Sequence, residues 1–280
     1  MRKSKIAGSI LLVAAGLLLG TAVWLKTKGQ DPLVEDRLDR VVVVDPDEET
    51  YGMVEEDREL LEMYQDYNAD VVGIIRIQGT VLNHPVVQTP EEETYYLLRS
   101  LDQQYNSHGV PFLSANSCIE GRDGNCVIYG HNIHLKKRDV FCDLAGYEDL
   151  GFYKEHPIIE TVSKSGTRRW LIFAYYLVDN ADADPFRYSE KTDFLSLAEF
   201  NMYMGEVEKR NWLEVPYDRT INDAYLTLSS CSNELAGSGT NRMVVMAVGV
   251  PYTFDVAEIV DGTGMRSDPF LPEKLREGGT

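Results

Sequence analysis

Tyr225-Leu226-Thr227-Leu228-Ser229-Ser230-Cys231 reads as a β-strand with a thiol at its C-terminal edge. Eleven residues after Cys231, Arg242 opens a second apolar strand, Met243-Val244-Val245-Met246-Ala247-Val248. Far upstream, His131 ends a third, Cys126-Val127-Ile128-Tyr129-Gly130-His131. Three strand ends can thus bring a thiol, an imidazole and a guanidinium to one place. Such a group supplies a nucleophile, a proton-transfer residue and a fixed cation for a developing oxyanion.

Outward from these three, the chain from Val71 to Val250 is mostly strand. Val72–Ile77 is the first, with Gln78-Gly79-Thr80 as its turn. Val86–Gln88, Val110–Leu113, Cys126–Tyr129, Ile158–Val162 and the long Arg169–Val178 follow, and the strands ending at Cys231 and Val250 bring the number to about eight. Short strands with turn signals between them favour an antiparallel barrel or sandwich. Residues 54–67 suit an amphipathic lead-in helix with Leu60, Leu61, Tyr64 and Tyr67 near one face, expected to pack on the strands. Ser196-Leu197-Ala198-Glu199 is a capping-box pattern, and Leu197, Phe200, Met204 and Val207 follow at helical spacing. A helix of about 14 residues therefore interrupts the late strands before Trp212.

Thr227-Leu228-Ser229-Ser230-Cys231, the strand-borne Arg242 and Tyr129-Gly130-His131-Asn132 together resemble the sortases, cysteine transpeptidases of Gram-positive cell surfaces (peptidase family C60). The family pattern is Thr-Leu-x-Thr-Cys, and Ser230 departs from it mildly, keeping the hydroxyl and losing a methyl. The likeness covers roughly residues 53 to 250. The helical lead-in, the stretch Gly79–Gln88 and the helical insert between residues 190 and 212 resemble class B in particular. The resemblance implies a closed eight-stranded β-barrel, with the insert either beside a substrate groove or simply packed on the barrel.

What the resemblance implies chemically is cleavage of a C-terminal sorting motif after Thr. Cys231 forms a thioacyl intermediate, Arg242 holds the oxyanion or the peptide, and His131 protonates the leaving amine and later deprotonates the acceptor. The acceptor implied is an amine of peptidoglycan. Asn132, Thr227 and Ser229 are weaker substrate-binding candidates, and Asn233 is a candidate to orient His131. Tyr188, near the insert, has no independent warrant. Rival readings are a pilin-polymerising sortase with a protein lysine as acceptor, a hydrolytic cysteine peptidase, and a non-catalytic surface scaffold.

The N-terminus stands apart from the strands. Ile6 to Leu25 is 20 residues without a charge, preceded by Arg2, Lys3 and Lys5 and followed by Lys26 and Lys28. As a helix it spans about 30 Å, the thickness of a bilayer core. The reading is an uncleaved signal-anchor, N-terminus inside, with the catalytic part outside the cell and tethered to its membrane. The expected organisation is a stub and transmembrane anchor over 1–28, an acidic extracellular linker over 29–52, a catalytic domain over 53–251 and a loosely ordered tail over 252–280. Val41 to Val44 is a lone β-favouring run inside the linker.

The formal charge of −18 argues against nucleic acid, whose phosphates demand a basic face. Residues 26–70 hold 15 acidic and 5 basic side chains and so carry −10 of that charge; they read as a solvated, self-repelling stalk. Four cysteines do not make a disulfide framework in a chain of 280 residues. Cys118 and Cys126 flank the turn-like Gly121-Arg122-Asp123-Gly124 and could pair across it. Cys118, Cys126, His131 and His134 match no standard zinc spacing. No cofactor and no metal are expected.

Overall fold

The computed structural model describes residues 50–52, 54–120, 124–133, 139–182, 185–231 and 240–277. The apolar run 6–25, the acidic linker up to residue 49 with Val41–Val44, His134 and Asn233 lie outside these, as does the side chain of Cys231. Among the described residues no helix is long and apolar enough to cross a membrane.

Eight strands form the body: β1 (Val71–Arg76), β2 (Asn83–Val87), β3 (Phe112–Leu113), β4 (Asn125–Tyr129), β5 (Ile158–Ser163), β6 (Gly166–Asp179), β7 (Tyr225–Cys231) and β8 (Asn241–Val250). Around the sheet they run β6-β8-β7-β4-β3-β2-β1-β5, and β5 pairs back onto β6 from Ile158↔Leu171 to Ser163↔Gly166. That last ladder closes the barrel and leaves few open edges for unwanted pairing. The two-residue strand Tyr51–Gly52 adds to β6 at Arg168 and Thr167.

The strand β6 is 14 residues long and buried almost throughout because the barrel is covered outside as well as filled inside. Part of the cover comes from the connection between β4 and β5, which the strand pattern did not reveal. There a 3-10 segment, Cys142–Glu148, and the helix α2 (after α1, Glu55–Tyr67), at Leu150–Glu155, bury Leu144, Tyr147 and Tyr153. The insert helix α3 (Leu197–Arg210) supplies more. Ser196 Oγ accepts the Glu199 N–H at 3.2 Å, the first half of the capping box. The Glu199 carboxylate does not return to Ser196; it accepts the Leu195 N–H at 2.8 Å and pairs with Lys191. Phe200, Tyr203, Met204 and Val207 then face the main core.

The lead-in helix α1 starts with three acids, Glu55, Glu56 and Asp57, which suit the positive end of a helix dipole. Leu61 seats it on a small second core with Val71, Ile74, Val87 and Tyr96. Tyr67, expected on the packed face, is instead exposed. The helix is held by its polar side too. Buried Asp57 receives Arg76 through both Nη atoms, at 2.5 and 2.8 Å, and Thr167 Oγ1 at 2.6 Å, while Arg76 Nε donates to Glu160 at 2.6 Å. Burial pushes the Asp57 carboxyl up, but the hydrogen bonds from Arg76 and Thr167 outweigh it and hold the group below its ordinary value. The stability this group contributes is therefore complete above the unfolded carboxylate range, about pH 4, and is lost as pH falls through the depressed folded value. Asp57→Ala leaves Arg76 half-paired in a poorly solvated place and is expected to cost about 3 kcal/mol, read as a lower thermal midpoint at neutral pH. That loss should shrink when the comparison with the parent is repeated in acid.

One expectation is corrected. The segment after Val250 is structured through residue 277 because it has partners. It forms the helices α4 (Ala257–Gly262) and α5 (Glu273–Glu277), and Gly264–Met265 pairs with Leu213–Glu214. Phe254, Val256, Ile259, Met265 and Leu275 pack against the main core. The pairing of Cys118 with Cys126, which the sequence leaves open, is not made: Cys118 is an exposed free thiol and Cys126 a buried one.

Candidate active site

The barrel's hydrogen-bond register aligns the three strand ends. β7 runs parallel to β4 and pairs Ser229 with Tyr129. The pairing continues past β4, where the Gly130 N–H donates to Ser229 O at 3.1 Å and Ser230 Oγ donates to Gly130 O at 2.7 Å. His131 and Cys231 each lie two residues beyond the Tyr129–Ser229 pair, so they share one level of the sheet. On the other side β7 is antiparallel to β8, and Cys231 is the direct partner of Arg242. Neighbouring strands are about 4.8 Å apart, so the backbones of positions 131, 231 and 242 form a row about 10 Å long with Cys231 in the middle.

The imidazole of His131 is fixed by a backbone group. Nε2 lies 2.8 Å from the carbonyl oxygen of Leu97. A carbonyl only accepts, so Nε2 carries the hydrogen and Nδ1 is the nitrogen left to take up and give back a proton. Leu97 belongs to a 3-10 turn, Tyr95–Leu98, anchored by buried Tyr96, whose hydroxyl donates to Asp70 at 2.7 Å. Gly109 closes the loop behind it at φ +60°, and a Cβ there would lie 2.4 Å from Leu97 O and 2.8 Å from Tyr96 O. Only glycine allows both the left-handed backbone and that approach. Gly109→Ala should displace the carbonyl that aims His131 and lower turnover about 100-fold, the scale of a 1 Å misplacement at a reacting group. Steady-state kinetics beside a melting curve would separate this from unfolding.

Arg242, half-buried, donates from Nη1 to the carbonyl of Asn241 at 2.8 Å, a local tie that restrains the guanidinium beside the chain. Beneath the row runs a polar chain. Thr227 Oγ1 donates to Asn125 Oδ1 at 2.7 Å, Tyr203 donates to Tyr188 O at 2.9 Å, and the Tyr188 hydroxyl lies 2.6 Å from Ser229 Oγ. Thr227 is fully buried in this chain and does not reach a surface, which corrects its place as a substrate contact. Ser229 and Tyr188 form a buried floor next to position 231. Asn132 is half-buried and pairs through its backbone with Val140.

Leu97, Gly109 and the Tyr188–Ser229 pair were not legible as a unit. Leu97 acts through a carbonyl that every residue has, and Gly109 through a conformation, so neither carries a side-chain signal. Among the thiols with described side chains, Cys126 is wholly buried, and burial pushes it far above the ordinary cysteine value. That makes it an inert core residue rather than a rival nucleophile.

Residues 75–250 match the Sortase family, described as a sortase domain. Sortase B of Staphylococcus aureus (strain NCTC 8325 / PS 47) is 28% identical over 190 residues, 68% of this chain and 74% of its own. Sortase B of Listeria monocytogenes serovar 1/2a is 28% identical over 237 residues, 83% of this chain and 92% of its own. A solved Staphylococcus aureus sortase B–substrate complex superposes with a TM-score of 0.61 at 26% identity, covering 70% of this chain and 87% of that one. The match spans most of the barrel, includes all three strand ends, and is to sortase B in each of these relatives; the chain belongs to the sortase family and, within it, to class B.

Proposed function

We propose that the chain is a cysteine transpeptidase that cleaves a C-terminal sorting motif after Thr and transfers the protein to an amine of peptidoglycan. The observation that carries this reading is that Cys231 pairs directly with Arg242, while His131 lies two residues past the Tyr129–Ser229 pair on the strand at its other side. A solved sortase B–substrate complex that shares this barrel supports a substrate bound on the same scaffold.

In this reading the Cys231 thiolate attacks the carbonyl carbon of the Thr. Negative charge develops on the carbonyl oxygen, and the Arg242 guanidinium donates to it. The C–N bond breaks as His131 delivers its proton to the departing amine, leaving a thioester on Cys231. The acceptor amine then attacks that thioester, His131 takes the amine proton, and the thiolate leaves as the new amide forms. The buried Ser229–Tyr188 floor stiffens β7 beneath the thioester, and half-buried Asn132 is the peptide contact beside His131. Asn233 is the candidate to orient His131 from the other side. Residues 6–25 anchor the enzyme in the membrane, 29–52 space it from the surface, and 53–251 are the catalytic domain, outside the cell.

The test is product analysis with and without an added amine. Incubation with an intact sorting peptide and a wall-type amine, such as an oligoglycine or a diamino acid, should give a new amide at the expense of free acid. Free acid alone at every amine concentration would make the protein a hydrolase. Product only with a folded protein's lysine would make it a pilin polymerase.

A further inference from the structure

The segment after β8 forms a strap along β6. It leaves the barrel where Val250 pairs with Arg169, whose guanidinium holds the carbonyls of Tyr252 and Phe254, both at 2.9 Å. It then runs past Trp212, where Arg266 N–H donates to Trp212 O at 2.8 Å. Phe270 N–H donates to Lys209 O at 2.9 Å, and the ring lies under the cations of Lys209, Arg210 and Arg276 at 4.3, 5.2 and 4.5 Å. The strap ends on α5. Its first N–H, on Glu273, approaches both Asp182 oxygens at 3.4 Å, and Lys274 Nζ donates to Asp179 at 2.9 Å. From Arg169 to Asp179 the strap has travelled the length of β6, about 33 Å.

Asp179 is not a neutral place to end. Its carboxylate is fully buried and also accepts the Ala181 N–H at 3.0 Å. It is the last residue of β6 and the ladder partner of Asn241, and the next pairs along are Val178↔Arg242 and Arg242↔Cys231. The Asn180 N–H donates to Thr240 O at 3.1 Å, continuing the ladder one residue further. The strap therefore grips the one end of β6 against which the Arg242 end of β8 is aligned.

We propose that the C-terminal strap is a positioning element of the catalytic row, and that Lys274, by holding buried Asp179, keeps the Asn241–Arg242 end of β8 in register with Cys231. The proposal rests on the transpeptidase reading of that row. Lys274 is a positioning residue and touches no reacting atom. Without Lys274 the buried Asp179 carboxylate keeps the neutral Ala181 N–H and Thr240 side chain but loses its cation, and the end of β6 relaxes toward water.

The experiment is single-turnover acylation of the full-length chain by a panel of sorting peptides, followed by mass, for the parent, Lys274→Met, Lys274→Arg and Lys209→Met. Lys209 holds the strap through Phe270, away from the row. Lys274→Met should slow acylation at saturating peptide about tenfold with little change in half-saturating peptide, because alignment and not binding is lost. Lys274→Arg should recover most of the rate, and Lys209→Met should keep it. An unchanged rate in Lys274→Met overturns the proposal. So does an equal loss in Lys274→Met and Lys209→Met matched by equal falls in melting temperature, which would make the strap a stabiliser only. A parent that acylates with none of the peptides fails at the transpeptidase reading itself, and the strap proposal falls with it; a parent that acylates confines any failure to the strap.

Discussion

His131→Ala is expected to abolish transpeptidation while leaving the barrel folded. The ring is half-buried at the end of β4, and its described polar contact is to Leu97 O, so truncation removes little packing. In the proposed mechanism it removes the proton for the departing amine and the base for the incoming one. An amine leaves a tetrahedral intermediate poorly unless it is protonated, so the acylation half-reaction should slow most. The fall in kcat/KM should be about 1,000-fold or more, at the upper part of the range for a lost general acid. The discriminating measurement pairs a peptide substrate with an activated thioester or ester of the same acyl group. The activated substrate has a leaving group that needs no proton, so it should still acylate Cys231 in the variant. Equal losses with both substrates would mean that His131 acts on the thiol rather than on the leaving group.

Arg242→Lys is the second large effect. Lysine keeps the charge and most of the length, so a role in bulk electrostatics predicts little change. The geometry argues otherwise. Arg242 is the ladder partner of Cys231, and its Nη1 is already committed to Asn241 O. A planar guanidinium can make that tie and still aim further N–H groups at an oxyanion, whereas an ammonium on a flexible stem cannot reproduce the fork. The expected loss is about 100- to 1,000-fold in kcat with a smaller change in KM, the size of a missing oxyanion donor. Near-parental turnover in Arg242→Lys would remove the multi-donor role and leave the residue as a charge.

Much of the fold was legible because its elements carry period and punctuation. β6 reads as a long apolar run from Arg169 to Val178, and α3 begins where Ser196 stands three residues before Glu199. The candidate row was legible for another reason: thiol, imidazole and guanidinium each lie at or just past the end of a recognisable strand, and register brings their backbones to one level. What stayed hidden lacks such a signal. The cover over Cys142–Glu155 is a 3-10 turn and a single helical turn and a half, too short to show a 3.6-residue period. The tail beyond Val250 is rich in Gly and Pro and looks structureless, yet it docks through short pieces, the Gly264–Met265 pairing and scattered residues such as Phe254, Phe270 and Lys274, on a surface made elsewhere. Thr227 shares strand parity with Ser229 but serves the interior, because the Asn125 beside it on β4 offers a buried acceptor. Parity alone does not say how far along a strand the surface ends.

The most direct test of the account is an intact-mass spectrum of the protein after brief incubation with sorting-type peptides of Leu-Pro-x-Thr-Gly, Asn-Pro-x-Thr-x and Ser/Pro-Pro-x-Thr-Gly form. The account predicts a mass gain equal to one peptide truncated after Thr, lost in Cys231→Ala and discharged by added amine. A parent that never gains that mass, or a Cys231→Ala variant that still does, would contradict it.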